Sequence, residues 1–225
     1  CEVGDTVEIL EQVQSTYYVS TTGDNSNDGL SETDPFATIS RAVSSTCKGD
    51  TVIVLDGTYF EDSITINGSV VIGSKYLIDG DTNHIHNTII DGGSSAYVFD
   101  YPYSQTSSNW ADTTYNRIEA LTIQNGMVVN NDRGGALTLA NERTLLIDRV
   151  QFKSNSAQRG GAVLQREWSR MALKNSTFTG NEASNDGGGF YSSDGYLVLT
   201  NNHFQNNSTS YHGGAMYLHS PRSLV

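Results

Sequence analysis

The sequence predicts an all-β fold, a right-handed parallel β-helix (solenoid) with an N-terminal helical cap, and three observations point there. The first is a repeat. Gly-Gly pairs begin at residues 134, 160, 187 and 213 and phenylalanines stand at 152, 178 and 204, so two independent markers keep a common period of about 26 residues. The second is the pattern inside each period. Leu145-x-Ile147, Met171-x-Leu173 and Leu197-x-Leu199 alternate shortly before each Phe position, as strands with one inward face do. The third is composition: 17% of the 225 residues are charged, below the roughly 25% of an average chain. Gly (22), Asn, Ser and Thr fill the difference, which favours turns over helices.

A period of this length accommodates three short strands and three turns, one coil of a solenoid with equivalent residues stacked about 4.8 Å apart. Phe152, Phe178 and Phe204 then form an internal aromatic ladder. Asn155, Asn181 and Asn207 form an asparagine ladder at a bend, and the Gly-Gly pairs mark a corner with positive φ. The first half carries less regular strand candidates: Thr51–Leu55, Ile64–Ile66, Val70–Ile72, Thr88–Ile90 and Tyr97–Phe99. Asp56-Gly57, Asn67-Gly68, Asp79-Gly80 and Asp91-Gly92 punctuate them as turns. An amphipathic helix over Pro35–Ser45 is the natural cap. Longer loops are expected at Tyr101–Asn116 and around Trp168. The whole chain, 1–225, reads as one β-helix domain: an N-terminal segment and cap to 50, irregular coils over 51–116, and regular coils from 117 onward.

The formal charge of −12 argues against nucleic acid and anionic membrane as partners, because phosphates need a basic face. No apolar run approaches the ~20 residues of a membrane span. Four N-x-S/T acceptors, at Asn67, Asn175, Asn206 and Asn207, suit a secreted glycoprotein and an extracellular or cell-surface location. Within the pair, Asn207 belongs to the ladder and should point inward, whereas Asn206 should face out. The chain begins at Cys1 without an initiator Met, as a processed product or a fragment would. Cys1 and Cys47 are expected to pair as a disulfide; a lipidated Cys1 is the rival reading.

The strings Tyr17-Tyr-Val-Ser20, Gly23-Asp-Asn-Ser-Asn-Asp-Gly29, Pro35-Phe-Ala-Thr-Ile-Ser-Arg-Ala-Val43, Gly49-Asp-Thr-Val52 and Asp56-Gly-Thr-Tyr59 resemble the opening of parallel β-helix proteins of the pectate-lyase-like superfamily. The repeated Phe-x-x-Asn and Gly-Gly-Ala-apolar tetrads resemble the repeats of chlamydial polymorphic outer-membrane proteins. The first resemblance implies the fold and admits lyases, esterases, hydrolases, adhesins and structural rods. The second implies a surface adhesin.

Catalytic chemistry has few candidates. A polyuronate lyase needs a base and positive charge, often Ca²⁺, to hold the anion it creates. Arg133 and Arg159, each just before a Gly-Gly pair, are the best basic pair, but Asp186 and His212 continue their column as a charge-compensated corner ladder. His84 and His86 have zinc-compatible spacing if they lie on a strand, against a polar hairpin as the plainer reading. Asp24, Asp28 and Glu32 could converge on calcium, although Pro35 stands where an EF-hand needs its bidentate Glu. Otherwise no cofactor is expected. Asp56-Gly-Thr-Tyr59-Phe-Glu61 resembles the early part of pectin methylesterases, without their later carboxylates and arginine. Tyr101, Tyr103, Trp110 and Tyr115 compose a loop suited to sugar stacking or protein binding.

These readings converge on a non-catalytic extracellular solenoid, an adhesin or structural module of a larger assembly. The alternative is a carbohydrate-active enzyme of the pectate-lyase-like group acting on an acidic polysaccharide. Expected partners are surface glycans or other extracellular proteins. No cap is legible at the C-terminal end, where Gly213–Leu218 stops in mid-coil. That leads to the expectation of a continuing parent chain, or of head-to-tail self-association.

Overall fold

The computed structural model describes residues 13–103, 116–129, 133–140 and 142–220. Among them the strands fall into three long sheets and a short one. A seven-stranded sheet runs from Thr16–Val19 through Thr51–Val54, Val71–Ser74, Asn116–Glu119, Thr144–Asp148 and Arg170–Lys174 to Tyr196–Thr200. A second, of six strands, comprises Gly57–Phe60, Thr88–Asp91, Thr122–Gln124, Gln151–Lys153, Thr177–Thr179 and His203–Gln205. The third, also of six, comprises Ile64–Thr65, Phe99–Tyr101, Leu137–Leu139, Val163–Gln165, Phe190–Ser193 and Met216–His219. Ser156–Arg159, Glu182–Asp186 and Ser208–Thr209 form the short sheet, which follows the second sheet and precedes the third in each regular coil. Each strand pairs in parallel with its counterpart one coil away. The chain winds as a right-handed parallel β-helix, the hand that parallel crossovers take.

The ladders hold the coils in register. Phe152 faces Phe178 and Phe178 faces Phe204, with ring centroids 4.6 and 4.5 Å apart. Below them the column continues as Ile123, Ile90 and Tyr59. Asn181 Oδ1 accepts from the Asn155 N–H at 3.0 Å, and Asn181 Nδ2 donates to the Phe152 carbonyl at 3.1 Å. Asn207 repeats both bonds on Asn181 and Phe178. A second ladder was not legible in the sequence: Ser176 Oγ accepts from the Val150 N–H, and Asn202 Oδ1 from the Ser176 N–H. At the glycine corner, φ is +60°, +66° and +66° at Gly160, Gly187 and Gly213. A Cβ on the following residue, Gly161, would stand 2.2 Å from the Gly188 carbonyl oxygen. Backbone approaches that close admit only glycine.

The cap helix spans Ile39–Ser45, four residues shorter than expected at its start. Phe36 instead spends its backbone on the first strand, donating to Tyr18 O and accepting from the Ser20 N–H. Thr38 caps the helix through Arg41 N, and the Glu61 carboxylate accepts from Ile39 N and Ser40 N. Ile39 and Ala42 are buried and close the first coils. The strand expected at Tyr97–Phe99 lies at Phe99–Tyr101, and Gly57 opens a strand instead of sitting in a turn. At the other end, Leu199 is 40% exposed, whereas Leu173 one coil below it is fully buried.

Candidate functional site

The third sheet turns one row of side chains away from the core. Register places Asp100, Thr138, Leu164, Tyr191 and Tyr217 in that row, alternating with inward residues such as Phe99 and Leu137. The corner row Arg133, Arg159, Asp186, His212 lies beside it. Arg159 pairs in register with Asp186, and Asp186 with His212. Their side chains lean over the sheet row, so that Asp100, Thr138, Leu164 and Tyr191 are buried although they point outward.

Each contact across the two rows has a physical reason. Asp100 is a carboxylate withdrawn from water, which is costly unless it is paired. Arg133 pairs it, donating from Nη2 at 2.9 Å and Nε at 3.3 Å to Oδ2. The same guanidinium lies 4.6 Å from the Tyr97 ring. Arg159 covers the Tyr191 ring at 5.4 Å, and Tyr191 stacks on Tyr217 at 5.6 Å. His212 Nδ1 sits 2.8 Å from Asp186 Oδ1, with its ring 5.7 Å from Tyr217. Tyr211, 71% exposed, extends this aromatic cluster outward. The two arginines of the expected basic pair are therefore not aimed together: Arg133 reaches down to Asp100, Arg159 up to Tyr191. At the lower end of the face, a cleft of about 300 Å³ opens between Tyr103, Arg133 and Arg166.

The aromatic loop needs one correction. Tyr101 is not exposed; it is fully buried inside the coil beneath the Arg143 guanidinium, and burial raises its phenol's pKa. It ends a strand whose inward side chains are Phe99 and Tyr101, so alternation decides its place. Tyr103, two residues on, is 56% exposed. Trp110 and Tyr115 lie outside the described residues.

His84 and His86 are not on a strand or hairpin but on a short helix, Asn83–Asn87, and their rings take different partners. His86 Nδ1 is 2.9 Å from Gln151 Nε2. His84 is held between two carboxylates, Nδ1 at 2.5 Å from Asp56 and Nε2 at 3.1 Å from Asp79. The bond to Asp56, with help from Asp79, raises its pKa above the ordinary histidine value. A histidine whose folded pKa is raised contributes stability fully below its unfolded pKa of ~6.5, and loses it as pH rises through the folded value. Thermal melts should therefore show a decline in stability above that window. The decline should flatten in His84→Gln, whose side chain does not titrate; an unchanged profile would mean that this clamp does not contribute.

The calcium candidates do not converge. Asp24 accepts from Ser26, Asp28 from the Leu30 N–H, and Glu32 pairs with Lys75. The described residues contain no group of three metal-ligating side chains. Cys47 is disulfide-bonded; Cys1, its expected partner, lies outside the described residues. Of the glycosylation acceptors, Asn67, Asn175 and Asn206 are exposed, while Asn207 spends its amide on the coil below. In a glycosylating host, mass mapping should find glycan on Asn67, Asn175 or Asn206. A glycan on Asn207 would contradict the ladder.

Comparison with known proteins bears on one coil. Residues 175–193 match the family model of the Chlamydia polymorphic membrane protein (Chlamydia_PMP) repeat. One coil of this solenoid is thus similar to that repeat. The matched stretch carries Phe178 and Asn181 of the two ladders and Gly187 of the corner. A solved rhamnogalacturonan lyase is similar over 92% of this chain and 56% of its own, at 14% identity and a TM-score of 0.26. The chain thus spans little more than half of that lyase, and a likeness this low carries no argument. No curated protein matches the sequence.

Proposed function

We propose that the protein is a surface-exposed extracellular solenoid of adhesin-like function, which holds surface glycans or other extracellular proteins without turning them over. The observation that carries this reading is the two-row face. Its aromatic cluster reaches the surface at Tyr211, while its carboxylates are already engaged, Asp100 by Arg133 and Asp186 by His212. A lyase needs a base that meets substrate and a cation that holds the product anion; neither role suits groups spent on each other. The match of one coil to a membrane-protein repeat supports a place at a surface.

The test has two arms. Polyuronates incubated with the folded chain, with and without Ca²⁺, should give no rise in the ultraviolet absorbance of unsaturated products. Labelled chain should stain glycan-bearing cells, and Tyr211→Ala combined with Tyr103→Ala should lower the staining severalfold. Product absorbance that disappears in Arg133→Ala would overturn the reading.

A further inference from the structure

We infer that the cleft beside Arg133 is a subsite for one neutral sugar ring, and that it discriminates against uronates. The inference rests on the reading of this face as a binding face and adds the chemical class of the ligand. The cleft's volume, about 300 Å³, is at the small end of the ~300–1,000 Å³ typical of ligand pockets. That suits a single terminal residue better than a length of polysaccharide.

The lining divides into a ring platform and a polar rim. Tyr103 offers an exposed aromatic surface, with Pro102 and Ala140 as further apolar contacts. Aromatic rings with a polar tip suit a ligand that is apolar on one face and hydroxylated at its edge. On the rim, both bonds from Arg133 land on the same oxygen, Asp100 Oδ2. Asp100 Oδ1 accepts nothing from the described residues, and Arg133 Nη1 donates to none of them. Thr138 Oγ1 accepts from the Gly134 N–H at 3.1 Å, and its own hydroxyl donates to none of the described residues. Among the described residues, one acceptor and two sets of donors are thus left over on side chains that line the cleft. Neighbouring sugar hydroxyls, which both donate and accept, match that set.

Charge decides between neutral and acidic sugars. Arg133 is neutralised by Asp100 at 2.9 Å, and Arg166, which also lines the cleft, has a partner of its own within the protein. A uronate carboxylate entering here would meet the Asp100 carboxylate, with Arg133 already paired to it, in a chain of net charge −12.

Calorimetry and ligand-observed NMR with methyl galactopyranoside, methyl glucopyranoside and galacturonate test this directly. The wild-type chain should bind a neutral glycoside in preference to galacturonate. Tyr103→Ala, at an exposed position that does not endanger folding, should weaken that binding roughly tenfold through loss of the ring platform. Asp100→Asn keeps the side chain's shape and leaves the Arg133 charge uncompensated, so it should reverse the preference towards galacturonate. A purely structural role for Asp100 would not produce that reversal. Wild-type preference for galacturonate, or neutral-sugar binding untouched by Tyr103→Ala, would overturn the inference. Cell staining that persists while no sugar binds would also overturn it, yet leave the adhesin-like function standing. Loss of staining as well, or turnover of a polyuronate, would sink the function itself.

Discussion

Replacing Phe178 by alanine is expected to lower the stability of the solenoid by about 3–5 kcal/mol, the range for a buried aromatic. Phe178 has no exposed surface, and its ring is held between Phe152 and Phe204 at 4.6 and 4.5 Å. Truncation therefore opens a cavity on the solenoid axis and removes two stacking contacts at once. In a solenoid each coil is stabilised by its neighbours, so the loss should spread to the coils on either side. Phe204→Ala is the internal control. Its ring has one stacking partner among the described residues and is only half-buried, so the same truncation should cost clearly less. Urea unfolding of both variants measures the difference; equal costs would place Phe178 outside a stacked core.

Asn181→Ala should be comparably damaging for a different reason. It removes no large volume, but it strips partners from the Asn155 N–H and the Phe152 carbonyl, both within the coil wall. Leaving such groups buried and unpaired costs ~1–3 kcal/mol each, so the total is on the order of 2–6 kcal/mol. Asn181→Asp separates hydrogen bonding from shape. Its carboxylate can still accept from Asn155, but it would face the Phe152 carbonyl and Asn207 Oδ1 without a donor of its own. Burial and those acceptors raise the folded-state pKa, so this variant should be most stable at low pH. It should lose stability as pH rises from the unfolded aspartate value of ~3.9 through the folded value. A pH-independent Asn181→Asp would show that the amide does not point inward.

The regular coils were legible because the same residue type recurs at the same place. Phe152, Phe178 and Phe204, the asparagines three residues after each, and the Gly-Gly pairs all lie in register as their spacing implied. The earlier coils hid their register. Their column is Tyr59, Ile90 and Ile123, three residues of two types at unequal intervals, so no single marker repeats. Within the site, the corner row could be read from sequence because it precedes the glycine pairs. The sheet row could not: Asp100, Thr138, Leu164, Tyr191 and Tyr217 share no chemistry, and the Arg133–Asp100 pair bridges two coils of different length. Tyr101 was expected to open the Tyr101–Asn116 loop, whereas it ends a strand whose alternation carries it inward. Arg143 gave no signal at all. Its guanidinium donates to the carbonyls of Ile66, Asn67 and Gly68, and only the folded chain brings these beside it.

Binding without turnover at the two-row face is tested most directly by following protein and ligand together. Isotope-labelled chain is titrated by NMR with oligosaccharides released from cell surfaces, and the ligand spectrum is recorded again after prolonged incubation. The account predicts shifts concentrated at Asp100, Tyr103, Arg133 and Thr138, with the oligosaccharide recovered intact. Shifts centred elsewhere on the solenoid, or new unsaturated or shortened sugars in the ligand spectrum, would contradict it.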